Sequence, residues 1–423
     1  MVAGCLGCAC QRSGNNASAV DDPINIASPQ PKEAITKMSL SETEKDYVDA
    51  GSSLAFKLFN LLVKPGESAI LSPLSIQYAL GMTANGASGE TLEELTRAMG
   101  FTEGGIEALN TFCHKLLNEL PALDLDVTLK LADAILVNQN RPLLPSFKET
   151  VQDTYYAAVE NMSFDDPNLV AARINDWASR NTNGLIDKML DAREVSPMAV
   201  AYLMNALYFK AKWAGSEYDP MFQEYGTYDE PFHLSGSDVK ELPTMHAYKK
   251  LNYAQFKGFG LLELPYAGDR FAMYILLPDG DLQDLVKDFP TLNWKELRSR
   301  LSMRDVNLQL PKFETSSSFM LKETLQALGV KRAFELDEAQ FDRMFQPKSA
   351  DEQFAISKVI QKARISVAEW GTEAAAVTVV EMVEKSAMPA EKPVNFICDR
   401  PFAYIIAEKS EGVILFEGAF AGK

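Results

Sequence analysis

The order of periodic segments along the chain constrains its fold more than any other feature. Apolar residues at helical spacing dominate the first half, and short strand-like runs dominate the second half. Helices are predicted over 46 to 63, from Pro73 onward, and near 90 to 99, 106 to 120, 145 to 157, 168 to 180 and 318 to 328. Strands are predicted near 129 to 138, 200 to 210, 261 to 265, 271 to 278, 305 to 313, 363 to 368, 402 to 407 and 413 to 418. No repeat or linker interrupts residues 41 to 423, so the pattern predicts an α+β fold in one large domain behind a tail of residues 1 to 40.

The acidic composition argues against several kinds of partner. The chain has 41 Lys and Arg against 58 Asp and Glu, which gives a formal net charge of −17. Phosphate binding needs clustered cations, so neither a nucleic acid nor an anionic membrane surface is expected as a partner. No run of about 18 consecutive apolar residues occurs, and the sequence therefore predicts no membrane-spanning helix.

The cysteines are concentrated in the tail. Three of the five, Cys5, Cys8 and Cys10, lie in the first ten residues, and only Cys113 and Cys398 follow. This distribution argues against a disulfide framework. The tail cluster has no second cluster to complete a four-ligand set, so we expect no metal site and no cofactor.

The residues before Cys5 resemble a bacterial lipobox, in which small residues precede a cysteine that becomes lipidated. The segment that follows is rich in Ser, Asn, Asp and Pro and has the composition of a flexible tether. A signal peptide has a charged and an apolar region ahead of the cleavage site, and only four residues precede Cys5. This points either to a truncated or mis-set start or to a disordered cytoplasmic tail. We favour a bacterial lipoprotein that is extracellular or attached to the cell envelope.

Catalytic chemistry has little support in this sequence. The three histidines, His114, His233 and His246, lie in no known catalytic or metal-binding motif. Cys113 and His114 are adjacent, but neighbouring side chains diverge on a helix, so this pair is better explained by packing than by nucleophilic catalysis. We therefore expect a binding or interaction protein rather than an enzyme.

The segment GTEAAAVTVVEMVEKS, residues 371 to 386, fits both a helix and a strand. Four consecutive β-branched residues, 377 to 380, lower its helix propensity. Along a strand the side chains alternate between two faces, and the even positions from Thr372 to Met382 are uncharged and small at their start. The charges of Glu373 and Glu381 fall on the odd face. The even face therefore suits burial within a sheet, and a permanent core strand is the simplest alternative.

Seven segments resemble the serpin family of protease inhibitors. They are ISKVIQKARISVAEWGTEAAAVT at 356 to 378, VNFICDRPFAYIIAEKSEGVILFEGAF at 394 to 420, LSPLSI at 71 to 76, INDWASRNTNGLI at 174 to 186, NALYFKAKW at 205 to 213, LELPYAGDRFAMYILLP at 262 to 278 and LPKFE at 310 to 314. All seven occur in the serpin order and at serpin-like spacings. The resemblance implies about nine helices around three β-sheets, with an exposed reactive-centre loop at about 369 to 393 that a target protease cleaves.

The resemblance also assigns a hinge to the start of this loop. The hinge residues are Glu369, Gly371, Thr372, Glu373, Ala374, Ala375, Ala376, Val377 and Thr378. In inhibitory serpins the cleaved loop inserts as a central strand and traps the acyl-enzyme. An inserting face that carried a charge would oppose this step, because a buried unpaired charge is costly. The small, uncharged even face thus favours an irreversible suicide-substrate inhibitor over a non-inhibitory serpin-like binding protein.

Counting from Gly371 as in inhibitory serpins places the scissile bond at Lys385–Ser386. Lysine there suits trypsin-like proteases, whose primary pocket is negatively charged. Cleavage at Val383–Glu384 or after Met388 would instead suit elastase-like, chymotrypsin-like or subtilisin-like proteases. The expected partners are thus serine proteases, and the inhibitor is expected to be a monomer.

By resemblance, two groups of residues control insertion. Ser72, Ser75 and Asn205 belong to the serpin shutter beneath the central sheet, together with Gln361, which stands where the family usually has histidine. Glutamine both donates and accepts hydrogen bonds, so the network is expected to survive without the pH sensitivity of an imidazole. Trp213 marks the breach where the loop first enters, and Glu369 is expected to pair there with Lys312. Ala368 and Trp370 depart from the family pattern outside the inserting segment, so inhibition is expected to persist.

Overall fold

A computed structural model gives the fold of the chain. It describes residues 31, 33–101, 104–196, 198–216, 218–235, 238–346, 348–349, 352–372 and 392–423. Within these ranges there are nine α-helices: α1 (Glu42–Leu62), α2 (Pro73–Asn85), α3 (Gly89–Ala98), α4 (Gly105–Ala122), α5 (Pro145–Tyr155), α6 (Pro167–Asn181), α7 (Leu282–Asp288), α8 (Trp294–Ser299) and α9 (Lys322–Ala327). No described helix is both long and apolar enough to cross a bilayer.

Local sequence explains where the first two helices begin. Ser41 caps α1, and Glu44 returns a side-chain hydrogen bond to the Ser41 backbone, which completes a capping box. Ser72 caps α2 by accepting a hydrogen bond from the Ser75 N–H, and Pro73 occupies the first turn, where its missing N–H has no cost. Helix α2 packs against both the strand Ala201–Lys212 and the strand Ile414–Phe420. Ser72 and Ser75, at its start, therefore lie close to these two strands.

The fifteen described strands form three sheets. They are β1 (Ala69–Leu71), β2 (Thr128–Asn138), β3 (Ala158–Met162), β4 (Ala201–Lys212), β5 (Thr227–Ser235), β6 (Asp238–Phe256), β7 (Phe259–Pro265), β8 (Phe271–Pro278), β9 (Ser302–Pro311), β10 (Phe313–Met320), β11 (Ile360–Ala368), β12 (Gly371–Thr372), β13 (Val394–Ile397), β14 (Phe402–Glu408) and β15 (Ile414–Phe420). One sheet has six strands in the order β10-β11-β12-β4-β2-β3. The other two share the long strand β6, which pairs with β5 over residues 238 to 245, with β9 over residues 244 to 253 and with β7 over residues 252 to 256. The β9 side continues to β13, and the β7 side continues through β8, β14 and β15 to β1.

This architecture confirms the predicted α+β fold with about nine helices and three sheets. The helix predicted over 318 to 328 is wrong in its first part. Residues 318 to 320 complete β10, where Phe319 pairs with Gln361 and Met320 with Ile360. The alternation of more and less exposed side chains along β10 is the period of a strand, and α9 begins only at Lys322.

Candidate functional site

The two-residue strand β12 lies between β11 and β4 and is antiparallel to both. Gly371 pairs with Ala368 and Lys212, and Thr372 pairs with Val367 and Ala211. Among the described residues, β11 and β4 are connected to each other within the sheet only through β12. We call the space between β4 and β11 that continues beyond Thr372 the slot. Its upper end is at β12, and its lower end is near Asn205 and Gln361. The upper end of the slot is thus already filled by the first residues of the predicted hinge.

Position 371 requires a glycine. Its φ of 147° lies in a region that residues with a side chain rarely adopt. A Cβ atom at this position would overlap the carbonyl oxygen of Ala211 in β4. The glycine therefore lets the chain turn from β11 and approach β4 closely enough to pair with it.

Thr372 is buried and its hydroxyl is held by Tyr266. The two hydroxyl oxygens lie 2.5 Å apart, and Thr372 is only 2% exposed. Tyr266 stacks on Trp213 with ring centroids 4.7 Å apart and an interplanar angle of 5°. The Trp213 Nε1–H donates a hydrogen bond of 2.8 Å to the carbonyl of Ala368, which ends β11. An aromatic pair thus supports the point where the hinge enters the sheet, and the even-numbered Thr372 points inward, as the parity of the segment predicts.

An ion pair between a buried carboxylate and a partly exposed lysine lies beside the same entry point. Lys312 Nζ is 2.9 Å from a carboxylate oxygen of Glu369, so the predicted pair is present. Burial alone would raise the pKa of Glu369, but the hydrogen bond from Lys312 and other local donors outweigh it and hold the pKa below its usual range. The backbone N–H of Lys312 donates to Pro243, which anchors the lysine to β6.

The predicted shutter residues meet beneath the lower part of β4. Ser75 on α2 donates its hydroxyl hydrogen bond to the side-chain oxygen of Asn205 on β4. Ser72 donates to the carbonyl of Leu415 at 2.7 Å, which ties the start of α2 to β15. Gln361 on β11 donates from Nε2 to the Ser72 carbonyl at 2.7 Å. The four side chains thus connect α2 to both strands that border the slot.

Gln361 is only half satisfied in this network. Its Oε1 atom is buried and has no hydrogen-bond partner among the described residues. Ser75 already donates to Asn205, and Ser72 to Leu415, so neither hydroxyl is available to Gln361. Within the described part of the chain, the shutter thus presents a buried acceptor without a donor, and an unsatisfied group of this kind costs about 1 to 3 kcal/mol.

A cavity of about 310 Å³ adjoins the shutter at the lower end of the slot. Its walls include Leu203 and Met204 of β4, Val359 and Ile360 at and just before the start of β11, and three of the four shutter residues, Ser75, Asn205 and Gln361. These walls are mostly apolar. The cavity can therefore receive side chains that are apolar or that offer a hydrogen-bond donor to the shutter.

Asp133 on β2 also belongs to the network, although no motif in the sequence connects it to the shutter. Asn205 Nδ2 donates to Asp133 Oδ1 at 2.8 Å, and the two residues are directly opposite each other on β2 and β4. Asp133 is 1% exposed. The sequence signal for this contact is a single acid inside the apolar strand LKLADAILV, because a buried acid needs a polar partner.

Cys113 and His114, which are adjacent in sequence, both lie on α4. Cys113 is buried and burial raises the pKa of its thiol, which keeps it neutral. The Nδ1 atom of His114 lies 2.9 Å from the carbonyl of Thr154. Both side chains are thus engaged in packing and hydrogen bonding within the helical layer.

Several predicted residues lie outside the described part of the chain. These are the possible lipidation site Cys5, the hinge residues Glu373, Ala374, Ala375, Ala376, Val377 and Thr378, and the scissile pair Lys385 and Ser386. Their roles, and those assigned by resemblance to the described shutter and breach residues, stay predictions.

The sequence profile described as Serpin (serine protease inhibitor) matches residues 49–422, which is most of the chain. The chain belongs to the serpin family. This confirms the family that the sequence motifs indicated.

Inhibitory proteins are among the similar serpins. Antitrypsin of Bombyx mori is 32% identical over 373 residues, which cover 86% of this chain and 91% of the antitrypsin. Leukocyte elastase inhibitor of Bos taurus is 33% identical over 383 residues, covering 87% of this chain and 97% of the inhibitor. The crystal structure of the thermophilic serpin tengpin in its native state superimposes with a TM-score of 0.81 at 27% identity, covering 92% of this chain and 97% of tengpin.

Proposed function

We propose that this serpin irreversibly inhibits serine proteases, with a preference for trypsin-like enzymes, by inserting its cleaved loop into the slot. The observation that carries the proposal is β12 itself, in which Gly371 and Thr372 already pair with both β11 and β4. This pairing supports insertion between the same two strands, in the same direction and with the even-numbered side chains facing inward. Relatives named as an antitrypsin and an elastase inhibitor support the same activity.

The register of β12 predicts where later loop residues would go. Each step forward in the loop is one step back in both β4 and β11, because all three are antiparallel neighbours. The position six residues after Thr372 is Thr378, and the positions six residues before Ala211 and Val367 are Asn205 and Gln361. An inserted Thr378 would thus point inward at the shutter and could donate its hydroxyl to Gln361 Oε1.

The next inward residues of an inserted strand suit the cavity. In the same register Val380 would lie between Leu203 and Val359, both of which line the cavity. Met382 follows on the same face. Both are uncharged, and burying an apolar side chain of this kind contributes about 1.5 to 3 kcal/mol. The loop sequence therefore matches the slot in polarity along its length.

The chemistry starts with the protease. Its serine would attack the carbonyl carbon of Lys385, release the amino group of Ser386 and remain joined to Lys385 as an acyl ester. Insertion as far as Lys385 would then carry the protease over 13 residues, or roughly 43 Å.

The hinge fits inhibition better than simple binding, because the even positions from Thr372 to Thr378 carry no charge, proline or bulky side chain.

The proposal is tested by mixing the full chain with trypsin. We expect an adduct that resists SDS, and a released peptide whose N-terminus is Ser386. Lys385→Arg should keep the adduct, whereas Lys385→Glu should lose it with trypsin while the thermal unfolding midpoint stays the same.

Each result has a distinct meaning. If no adduct forms with any of trypsin, elastase and subtilisin, the inhibitor proposal is overturned. An adduct with elastase but not with trypsin would overturn the trypsin-like preference alone. A new N-terminus other than Ser386 would move the scissile bond.

A further inference from the structure

Asp133 is a buried acid with one side-chain hydrogen-bond partner among the described residues. Its Oδ1 accepts from Asn205, and its Oδ2 is buried with no partner among the described residues. Leu131 and Ile135, two residues away on either side, belong to the main hydrophobic core, so the carboxyl group faces the interior on the side of α2 and α4. A charged carboxylate in this position would be only partly compensated.

The ionisable groups that face Asp133 offer no positive charge. They are Tyr78 on α2, Cys113 on α4 and Tyr155 on α5, all of which are buried. The Tyr78 hydroxyl donates to the Cys113 carbonyl at 3.5 Å, and the Tyr155 hydroxyl donates to Asn110 at 3.0 Å. Burial raises the pKa of all three groups, so they stay neutral across the physiological range.

The position of Asp133 therefore favours its neutral form. Burial raises the pKa of its carboxyl group to about 7, although the hydrogen bond from Asn205 works in the opposite direction. Nothing in the described part of the chain forms an ion pair with it. Above neutral pH the group becomes a buried carboxylate whose second oxygen has no donor among the residues that the structure describes.

Asp133 is coupled to the slot through Asn205. The Asn205 amide donates to Asp133 and accepts from Ser75, so one side chain links β2, β4 and α2. Ser75 and Asn205 also line the cavity at the lower end of the slot. Movement of β4 away from α2 would break the Asn205–Ser75 bond and open a route for water along the cavity toward the carboxyl group.

We propose that Asp133 is a positioning residue that makes the contact between β4 and α2 depend on pH. When the carboxyl is protonated, the chain Asp133–Asn205–Ser75 holds β4 against α2. Loss of the proton creates an unpaired buried charge, and separation of β4 from α2 relieves it by hydration. Because β4 borders the slot, the same separation prepares the sheet to accept the loop.

The sign of the effect follows from proton linkage. A carboxyl whose pKa is higher in the closed arrangement than in water stabilises that arrangement at low pH. This stabilisation is lost as pH rises from about 4, the ordinary aspartate value, to about 7, and no further change follows above 7. Because a single proton is involved, the equilibrium constant for separating β4 from α2 can rise by at most about tenfold per pH unit within that window.

Hydrogen exchange tests this proposal without any protease. Its functional meaning rests on the proposed inhibition, but exchange and adduct formation are separate measurements, so either can fail alone. We expect the protection factors of β4 amides to fall by about tenfold from pH 5.5 to pH 7 in the unmodified chain. In Asp133→Asn, which has the same shape but cannot ionise, they should stay constant.

Glu417→Gln is the matched control. Glu417 on β15 is a second buried carboxyl without a partner in the described part of the chain, and it lies outside the slot. This variant should retain the tenfold fall in β4 protection. The proposal is overturned if the unmodified chain shows no pH dependence, if Asp133→Asn keeps the fall, or if Glu417→Gln abolishes it.

Discussion

The two ends of the slot differ in how completely their polar groups are paired. At the upper end, Thr372 contacts Tyr266, and Glu369 pairs with Lys312. At the lower end, Gln361 has a buried acceptor without a partner among the described residues, and an apolar cavity adjoins it. If the cleaved loop inserts as proposed, β12 would set the direction of the new strand at the upper end. Most of the additional stabilisation would come from burial and new hydrogen bonds at the lower end.

The largest expected effect comes from placing a charge on the inserting face. Ala374→Arg would put a guanidinium on the even face, two residues after the buried Thr372. Insertion would then bury an unpaired charge at a cost of several kcal/mol, so the protease should escape before it is trapped. We expect near-complete loss of the SDS-stable adduct with trypsin and its replacement by cleaved inhibitor, measured on gels over a range of inhibitor-to-protease ratios.

Ala375→Arg is the matched control for this prediction. It introduces the same side chain one residue later, on the odd face, where charge is expected to be tolerated. This variant should keep most of the adduct yield. Equal loss in both variants would contradict the assignment of the even face to the interior.

A smaller effect is expected at the upper end of the slot. Tyr266→Phe removes the hydroxyl that contacts Thr372 while keeping the ring that stacks on Trp213. Loss of one buried hydrogen bond should lower the free energy of unfolding by about 1 kcal/mol. Denaturant unfolding measures this change, and the adduct yield should fall only slightly.

A double-mutant cycle separates this contact from general packing. Thr372→Ala alone should cost about as much as Tyr266→Phe, and the double variant should cost less than the sum of the two. Strictly additive free energies would show that the two hydroxyl groups contribute independently, which would contradict a hydrogen bond between Tyr266 and Thr372.

Several strands with a clear period could be predicted from sequence, whereas the long strand β6 and the shortest helices were missed. The strand predicted at 271 to 278 coincides with β8, and the strand predicted at 129 to 138 matches β2 to within one residue. Helices α7 and α8 have seven and six residues, too few for a clear apolar period, and the sequence did not predict them. Strand β10 was partly assigned to a helix because its serines favour neither structure strongly.

The site shows the same limit at the level of single residues. Motifs located Ser75, Asn205 and Gln361, but not which of their atoms are paired, since that depends on strand register and side-chain orientation. Tyr266 lies within the quoted LELPYAG segment, yet its contact with Thr372 joins residues 106 positions apart. Contacts of this range are set by the assembled sheet and are not visible in local periodicity.

The thermal stability of the cleaved chain tests the insertion of the loop most directly. The loop is cut by a protease that releases the product, and the unfolding midpoints of intact and cleaved protein are compared, with cleaved Ala374→Arg as the control. Insertion between β4 and β11 should raise the midpoint by several degrees, because each kcal/mol of added stability corresponds to about 1 °C in a chain of this size, at about 2.1 cal/mol/K of unfolding entropy per residue. A cleaved chain that unfolds at or below the intact midpoint would contradict insertion.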